Sequence, residues 1–330
     1  MSFRALLTEK AEDGTVSSAV QTLEDSRLPE GDVTVDIEWA GLNYKDGLCL
    51  MGQGGLVRTY PHVAGIDFAG TVRESDDFRY RVGDQVVLTG WRVGEAHWGG
   101  YAERARVKAD WLVPLPANLT TRDAMIMGTA GLTAMLAINR LEWAGLTPSN
   151  GEVLVTGAAG GVGSIAVALL RRLGYSVTAV SGRPQHADML RDLGAASIID
   201  RNEFMAQPDK PLETARFAAA IDCVGGDVLG KLLRQIAYGG AVASLGNAAG
   251  IKLETNVLPF LLRGVNLLGI DSVMQPFDAR TDAWTRLAGL FDFAAYAGNV
   301  EEVALAALPD KATQILRGEV KGRVLVDTGA

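Results

Sequence analysis

The run Val153-Leu154-Val155-Thr156-Gly157-Ala158-Ala159-Gly160-Gly161-Val162-Gly163-Ser164 limits what this chain can become more than any other segment. A β-branched stretch enters a glycine loop, and an apolar, helix-prone stretch leaves it. The spacing is not the strict G-x-G-x-x-G. It reads Ala158-x-Gly160-x-x-Gly163, with an extra Gly157 at the turn. Gly157 suits the tight turn, Gly160 the approach of backbone to a pyrophosphate, and Gly163 the close packing of helix on strand. The N–H groups near Gly161 to Gly163 would face the phosphates, with Ala159, Gly160, Gly161 and Val162 as the candidate contacts. The competing reading is a plain strand–turn–helix whose glycines only serve packing.

The surrounding pattern favours the dinucleotide. From residue 150 onward, strand candidates fall at 153–156, 176–180, 196–199, 218–222, 241–245 and 265–270. Helical stretches lie between several of them, at 162–173, 186–193 and 228–237. Strands joined by helical crossovers predict an α/β fold with a Rossmann-type, doubly wound parallel sheet.

The choice of dinucleotide follows from the second strand end. An NAD site carries Asp or Glu about 20 residues past the motif, on the ribose 2′-hydroxyl. Here that region reads Val180-Ser181-Gly182-Arg183-Pro184, with no acid. Ser181 and Arg183 suit a 2′-phosphate by hydrogen bond and charge, and Arg201 after the third strand is a further candidate. NADPH is the expected cofactor. Ligands lie beyond the carboxyl ends of strands in such sheets, so Cys223, Leu245, Gly246 and Asn247 are placed to line the nicotinamide side. Nothing near Cys223 in the sequence argues for a thiolate.

Composition excludes several other classes. Glycine numbers 39 of 330 residues, about 12% against a usual level of roughly 7%, with no Gly-X-Y period. The excess therefore serves turns and close backbone approaches. Apolar residues make up 48% and charged residues 21%, which suits two buried cores rather than disorder. With 31 basic and 39 acidic side chains, a net charge of −8 argues against nucleic acid as a partner. No run of 18 apolar residues and no long apolar N-terminal core point to a membrane or secretion. Two cysteines make no disulfide framework, and a cytoplasmic location is expected. Three scattered histidines, with no C-x-x-C or H-x-x-x-H pair, give no expected metal site.

The first third reads differently. Residues 33–39 alternate apolar and polar, and 68–72 and 85–89 look the same, so short half-buried strands of a small barrel or sandwich are expected. Residues 112–116 contain Pro114 and Pro116 and are not a central strand. Thr120 or Thr121 is the expected N-cap of a helical stretch over 124–139 that breaks at Gly128 and Gly131. A last strand, Gly322-Arg323-Val324-Leu325-Val326-Asp327, has no helix partner and is expected to return to this first domain.

A β-rich N-terminal part, an Ala-Ala-Gly-Gly-Val-Gly loop in mid-chain and a returning last strand together resemble the medium-chain dehydrogenase/reductase superfamily over the whole chain. Its zinc alcohol dehydrogenases carry Gly-His-Glu where this chain has Gly65-Ile66-Asp67, and Ile66 binds no metal. The chain thus looks like the zinc-free, quinone-oxidoreductase-like branch. More narrowly, Asn43-Tyr44-Lys45-Asp46, Gly65-Ile66-Asp67-Phe68-Ala69-Gly70, Trp98-Gly99-Gly100-Tyr101-Ala102 and Gly269-Ile270-Asp271-Ser272-Val273 resemble the NADPH-dependent acryloyl-CoA reductases. The resemblance implies a GroES-like β-barrel catalytic domain over 1–123, a Rossmann NADPH domain over 124–271, and a return to the catalytic domain over 272–330. It also implies a homodimer, joined through the strand near 265–270. It brings Asn43, Gly131, Thr133, Ile270 and Ser272 near the cofactor, and points Arg323 toward a phosphate of NADPH or CoA, with a surface salt bridge as the other reading of Arg323.

The reaction that the resemblance implies is reduction of the C=C bond of acryloyl-CoA or a similar short enoyl-CoA. Hydride would reach the β-carbon, negative charge would build on the thioester oxygen, and a proton would reach the α-carbon. Asn43 and Tyr44 are the catalytic candidates: Asn43 positions cofactor or substrate, and Tyr44 donates to the enolate or relays the proton. Asp46 and Asp67 are read as loop braces, and Lys45 as solvated. Trp91, Arg92 and Trp98 lie in a loop placed either to cover substrate or simply to pack. The alternatives carried with this reading are an NADPH-dependent quinone or enone oxidoreductase and a non-catalytic NADPH-binding sensor.

Overall fold

The apolar positions of the N-terminal third sit on strands, as their alternation predicts. The computed structural model describes residues 1–206 and 210–330. Strands β1 (Ser2–Lys10), β2 (Val16–Glu24) and β3 (Val33–Leu42) are followed by helix α1 (Tyr44–Leu50). Then come β4 (His62–Val63), β5 (Asp67–Ser75), β6 (Gln85–Thr89), β7 (Arg104–Val107) and β8 (Leu112–Pro114). On β3, Val33, Val35 and Ile37 point into the core. Outward, Asp36 accepts from Arg73 and Arg104, and Glu38 accepts from the Thr71 and Thr121 hydroxyls. Among the described residues the proline-containing β8 pairs only with β6 and ends the sheet, where missing N–H groups do least harm.

Helix α2 (Thr121–Trp143) follows. Thr120 caps it: its hydroxyl accepts the Asp123 N–H at 3.1 Å, and its own N–H goes to the Asp123 carboxylate at 3.1 Å. The helical geometry is interrupted at Gly128 (φ 52°, ψ −151°) and not at Gly131, which stays within the helix. The difference is physical. Glycine weakens a helix by only about 1 kcal/mol, so it permits a break without forcing one. At Gly128 the broken backbone requires glycine, because a Cβ there would sit 2.7 Å from the Asp67 carboxylate and 2.8 Å from the Arg323 guanidinium. The helix is long and apolar enough to cross a membrane by length and composition alone, but its most apolar window is 78% buried, as in a core helix.

Strict β–α alternation follows. β9 (Glu152–Val155), α3 (Gly161–Arg172), β10 (Ser176–Ser181), α4 (Ala187–Asp192), β11 (Ser197–Asp200) and α5 (Arg201–Ala206) form the first half. β12 (Phe217–Asp222), α6 (Gly226–Leu233), β13 (Ile236–Ser244), α7 (Leu258–Arg263) and β14 (Asn266–Gly269) form the second. All six strands are parallel, in the order β11-β10-β9-β12-β13-β14. That is the doubly wound order whose halves diverge at β9 and β12. The helix expected over 228–237 stops at Leu233. Ile236 is already in β13 and pairs with Phe217, and the strand then shifts register before Ala241.

The chain closes with α8 (Phe277–Leu290), α9 (Phe293–Tyr296), β15 (Val300–Ala304), α10 (Leu308–Leu316) and β16 (Arg323–Asp327). β16 returns to lie antiparallel to β3, with Leu325 opposite Gly41, and β15 pairs parallel to β16. The chain thus forms two units. One comprises residues 1–129, 272–288 and 300–330, and the other 130–271 and 289–299. The first holds a seven-stranded sheet beside the three-stranded β2-β1-β4 sheet, around a core that includes Leu6, Leu42, Phe68, Leu88 and Val326.

Gly128→Ala tests this requirement, since a side chain there meets both unfavourable φ/ψ and two charged groups. The expected loss is about 2–4 kcal/mol of unfolding free energy, read by denaturant titration. Gly131→Ala, inside regular helix, should be neutral or stabilising.

Candidate active site and cofactor cradle

In the first unit, the end of β3 and the start of α1 are built around two buried carboxylates. Asn43 is the N-cap of α1, in extended conformation (φ −120°, ψ 162°). Asp46, three residues on, accepts the Asn43 backbone N–H at 2.9 Å and the Ile66 N–H at 2.9 Å. The Asn43 side-chain amide donates to Asp67 at 3.0 Å and to Asp46 at 3.3 Å. Asp67 also accepts the N–H groups of Gly41 (3.1 Å) and Thr129 (2.6 Å). Both carboxylates are fully buried.

Arg323 completes the cluster. Its guanidinium is 2% exposed, donates to Asn43 Oδ1 at 3.0 Å and to the Leu42 and Ile126 carbonyls, and lies 4.0 Å from Asp67. The phosphate contact expected of Arg323 is therefore corrected: the group is turned inward and spent on protein acceptors. Asn43 is likewise used up, with its amide on two carboxylates and its oxygen on Arg323. Tyr44, next in the chain, is 42% exposed and is the polar side chain that this assembly presents. Lys45 is not simply solvated; it donates to the buried Glu95 at 2.9 Å.

Burial, with the neighbouring Asp67 carboxylate second, pushes the Asp46 pKa up to about 7. Burial likewise raises Tyr101, whose hydroxyl donates to the Gly41 carbonyl at 3.0 Å. The sequence placed Asp46 and Asp67 as braces. It did not show that Asp46 holds its proton near neutrality, because that depends first on complete burial and then on the Asp67 carboxylate arriving from β5.

In the second unit, the glycine loop has the geometry assigned to it. Gly157 adopts φ +60°. A Cβ on Gly163 would lie 2.4 Å from the Gly157 carbonyl oxygen, so this glycine is what lets α3 close on β9. Gly160 is the N-cap of α3, and no side chain caps the helix. Ala159 is buried, whereas Gly160, Gly161 and Val162 are partly open. An uncapped helix start beside a residue with no Cβ is a cradle for a diphosphate. At the end of β10, Ser181 Oγ accepts the Arg183 N–H at 3.2 Å, and the Arg201 guanidinium carbon lies 3.0 Å from where a Gly182 Cβ would be. Ser181, Arg183 and Arg201 thus share one corner, and it fits a 2′-phosphate.

Two residues outside the expected set hold the other strand ends together. The Thr156 hydroxyl donates to Asp222 at 2.6 Å and accepts the Cys223 N–H at 3.0 Å. The second Asp222 oxygen takes the Gly225 N–H at 2.9 Å. Asp222 is fully buried, and burial raises its pKa. The loop it shapes packs against the next one. A Cβ on Gly246 would fall 2.0 Å from the Cys223 carbonyl oxygen, and Leu245 N–H donates to the Asp222 carbonyl. Burial also pushes the Cys223 thiol up, so it is no thiolate nucleophile. Asn247 is exposed, Thr133 is buried on α2, and Ile270 N–H donates to the Ser244 carbonyl. Ser272 lies in the first unit, where its carbonyl accepts from Arg280. A metal finds no comparable donor set: among the described residues no three His, Cys, Asp or Glu side chains are grouped to hold an ion.

The raised Asp46 pKa carries a stability consequence. Between about pH 4 and 7 the folded chain keeps a proton on Asp46 that the unfolded chain has lost. Unfolding free energy therefore falls with rising pH across that window, at most by roughly 1.4 kcal/mol per pH unit from this group, and levels off above it. Asp46→Asn should flatten that part of the profile in denaturant titrations at stepped pH.

The comparisons with known proteins agree with this geometry. Residues 29–117 match the alcohol dehydrogenase GroES-like domain, and residues 161–288 match the zinc-binding dehydrogenase family. The zinc of that family description finds no fit here, since Ile66 contributes only its backbone N–H, to Asp46. The acrylyl-CoA reductase AcuI of Ruegeria pomeroyi is 55% identical over 99% of this chain and all of its own length. The crystal structure of the yhdH oxidoreductase from Salmonella enterica, in complex with NADP, superimposes with a TM-score of 0.96 at 53% identity, covering 99% of both chains. The Bacillus subtilis protein yhfP, solved with NAD bound, gives 0.95 at 44% identity, also covering 99% of both chains. The chain belongs to the medium-chain dehydrogenase/reductase superfamily, as a member of its acryloyl-CoA reductase family.

Proposed function

We propose that this chain reduces the C=C bond of acryloyl-CoA to give propanoyl-CoA, with NADPH as reductant. The observation that carries the reading is full-length identity of 55% to an acrylyl-CoA reductase, together with the Ser181, Arg183 and Arg201 corner that suits a 2′-phosphate. Bound NADPH supplies the hydride that the β-carbon accepts. The N–H groups around Ala159, Gly160, Gly161 and Val162 hold its diphosphate, and Ser181, Arg183 and Arg201 hold its 2′-phosphate. Thr133, Cys223, Leu245, Gly246, Asn247, Ile270 and Ser272 belong to the remaining cofactor contacts. Functionally, residues 1–123 with 272–330 form the catalytic part, and 124–271 the NADPH part.

Tyr44 is the donor to the charge that builds on the thioester oxygen, or the relay of the proton to the α-carbon. Asn43 acts through position: locked between Asp46, Asp67 and Arg323, it fixes the first turn of α1 and with it Tyr44. The unpaired cysteines, Cys49 and Cys223, fit a cytoplasmic location.

The same reading includes a homodimer. β14 ends the six-stranded sheet, so one of its edges is unpaired among the described residues, and Leu267 on it and Leu261 and Leu262 before it are exposed. A second copy pairing there continues the sheet and covers the apolar side chains. Sedimentation should give a mass near twice 35.0 kDa, and a concentration-independent monomer would remove the dimer.

NADPH oxidation with acryloyl-CoA, crotonoyl-CoA and a simple quinone, side by side, tests the activity. The expected order of kcat/KM places acryloyl-CoA first and the quinone far behind, with NADPH preferred to NADH. Tyr44→Phe should lower kcat by roughly 100-fold while NADPH affinity is unchanged. A quinone turned over best would shift the assignment to a quinone reductase, and binding without any turnover would leave a sensor.

A further inference from the structure

Among the described residues, Trp91 (φ 55°) and Arg92 (φ 60°) are the non-glycine residues in the left-handed region, and they are consecutive. That backbone is unfavourable for L side chains and persists only where the surroundings impose it. The surroundings here do so from several directions. Arg280 is 1% exposed and donates to the Thr89, Ser272, Val273 and Gln275 carbonyls, with its guanidinium carbon 4.8 Å from the centre of the Trp91 ring. The Trp91 N–H is held by the Val273 carbonyl at 2.9 Å. His62 bonds the Gly94 carbonyl at 2.9 Å, and His97 the Arg106 carbonyl at 2.8 Å. Gly90 and Gly94 leave no room for a Cβ against backbone at 2.7 Å.

What this scaffold presents is Arg92. Its side chain is 52% exposed, and its Nε lies 3.9 Å from Glu95, the buried carboxylate that also binds Lys45 at 2.9 Å. Two cations share one carboxylate, which leaves one positive charge on the surface beside α1, the helix that begins with Asn43 and Tyr44. The Trp91 indole N–H is buried and has no acceptor among the described residues.

We propose that Arg92 is a substrate-binding residue that takes a phosphate group of the CoA moiety, held in place by the strained Trp91–Arg92 turn and its Arg280 clasp. The proposal rests on the acyl-CoA reading above. The shared chemistry is phosphate, which NADPH also carries, so the test separates the two sources.

The variants are Arg92→Asn, which tolerates the left-handed backbone without the charge, and Arg92→Lys, which keeps the charge. The substrates are acryloyl-CoA and the acryloyl thioester of N-acetylcysteamine, which has the same reacting group and no phosphate. Arg92→Asn should raise KM for acryloyl-CoA roughly 10-fold or more with kcat nearly unchanged. It should leave kcat/KM for the phosphate-free thioester and Kd for NADPH as in the wild type, and Arg92→Lys should recover part of the loss. An equal fall with both thioesters would show a structural role only and overturn the proposal. Weaker NADPH binding would assign the phosphate to the cofactor and overturn it as well. If the wild type reduces neither thioester, the acyl-CoA reading fails by itself. Calorimetric titration with free CoA then decides for Arg92, since loss of CoA binding in Arg92→Asn supports its role and undiminished or absent binding rejects it.

Discussion

Two carboxylates without solvent set the terms for the first unit. Removing Asp46 and Asp67 from water costs several kcal/mol each unless their oxygens find donors. The donors come from far-separated points of the chain: Gly41 at the end of β3, Asn43 at the start of α1, Ile66 before β5 and Thr129 just past the interruption of α2. Arg323, from the last strand, binds Asn43 and places positive charge 4.0 Å from Asp67. The glycine at the break in α2 is one requirement of that arrangement, because on the backbone found there a Cβ would fall 2.7 Å from the Asp67 carboxylate. The return of β16 is another consequence, since without it the cluster lacks its cation. Stability and site geometry are therefore one problem in this unit.

The second unit repeats the device with a single acid. Asp222, at the end of β12, bonds Thr156 on the neighbouring strand end and the turn that leads into α6. Glycines then let the successive loops touch backbone to backbone, with Gly225 bridging Gly250 and Gly246 resting on Cys223. A parallel sheet leaves its functional loops at the carboxyl ends of strands. Such loops are exposed to local opening unless something buried ties them, and here that tie is a carboxylate with fully internal partners.

What could be read from the sequence was whatever is local. The glycine loop, the six parallel strands and the missing acid after Val180 are all statements about neighbours in the chain, and the sheet and its Ser181–Arg183 corner follow from them. Features that depend on distant residues were harder to read. Gly128 and Gly131 are equivalent as letters, and only the arrival of Asp67 and Arg323 separates them. The end of α6 at Leu233 is set by Ile236 pairing with Phe217. Arg323 was expected toward a phosphate from the family resemblance, since the sequence shows no partner for it. Its partners, Asn43 and the carbonyls of Leu42 and Ile126, lie in segments a whole domain away. Arg280 and Thr156 gave no signal for the same reason.

The geometry also narrows who can move a proton. Asp46, with a pKa near 7, has the acidity a general acid needs, but it is fully buried and both its oxygens already accept from Asn43 and Ile66. Asp67 is equally enclosed. Asn43 has no donor left. A reacting atom must come within about 3 Å of a donor, and in the function proposed above that donor is the Tyr44 hydroxyl. The buried acids act on it indirectly. Asp46 braces the first turn of α1 by accepting the Asn43 and Ile66 N–H groups. Asp46, the buried acid whose pKa burial raises, thus fixes through Asn43 the start of the helix that carries Tyr44.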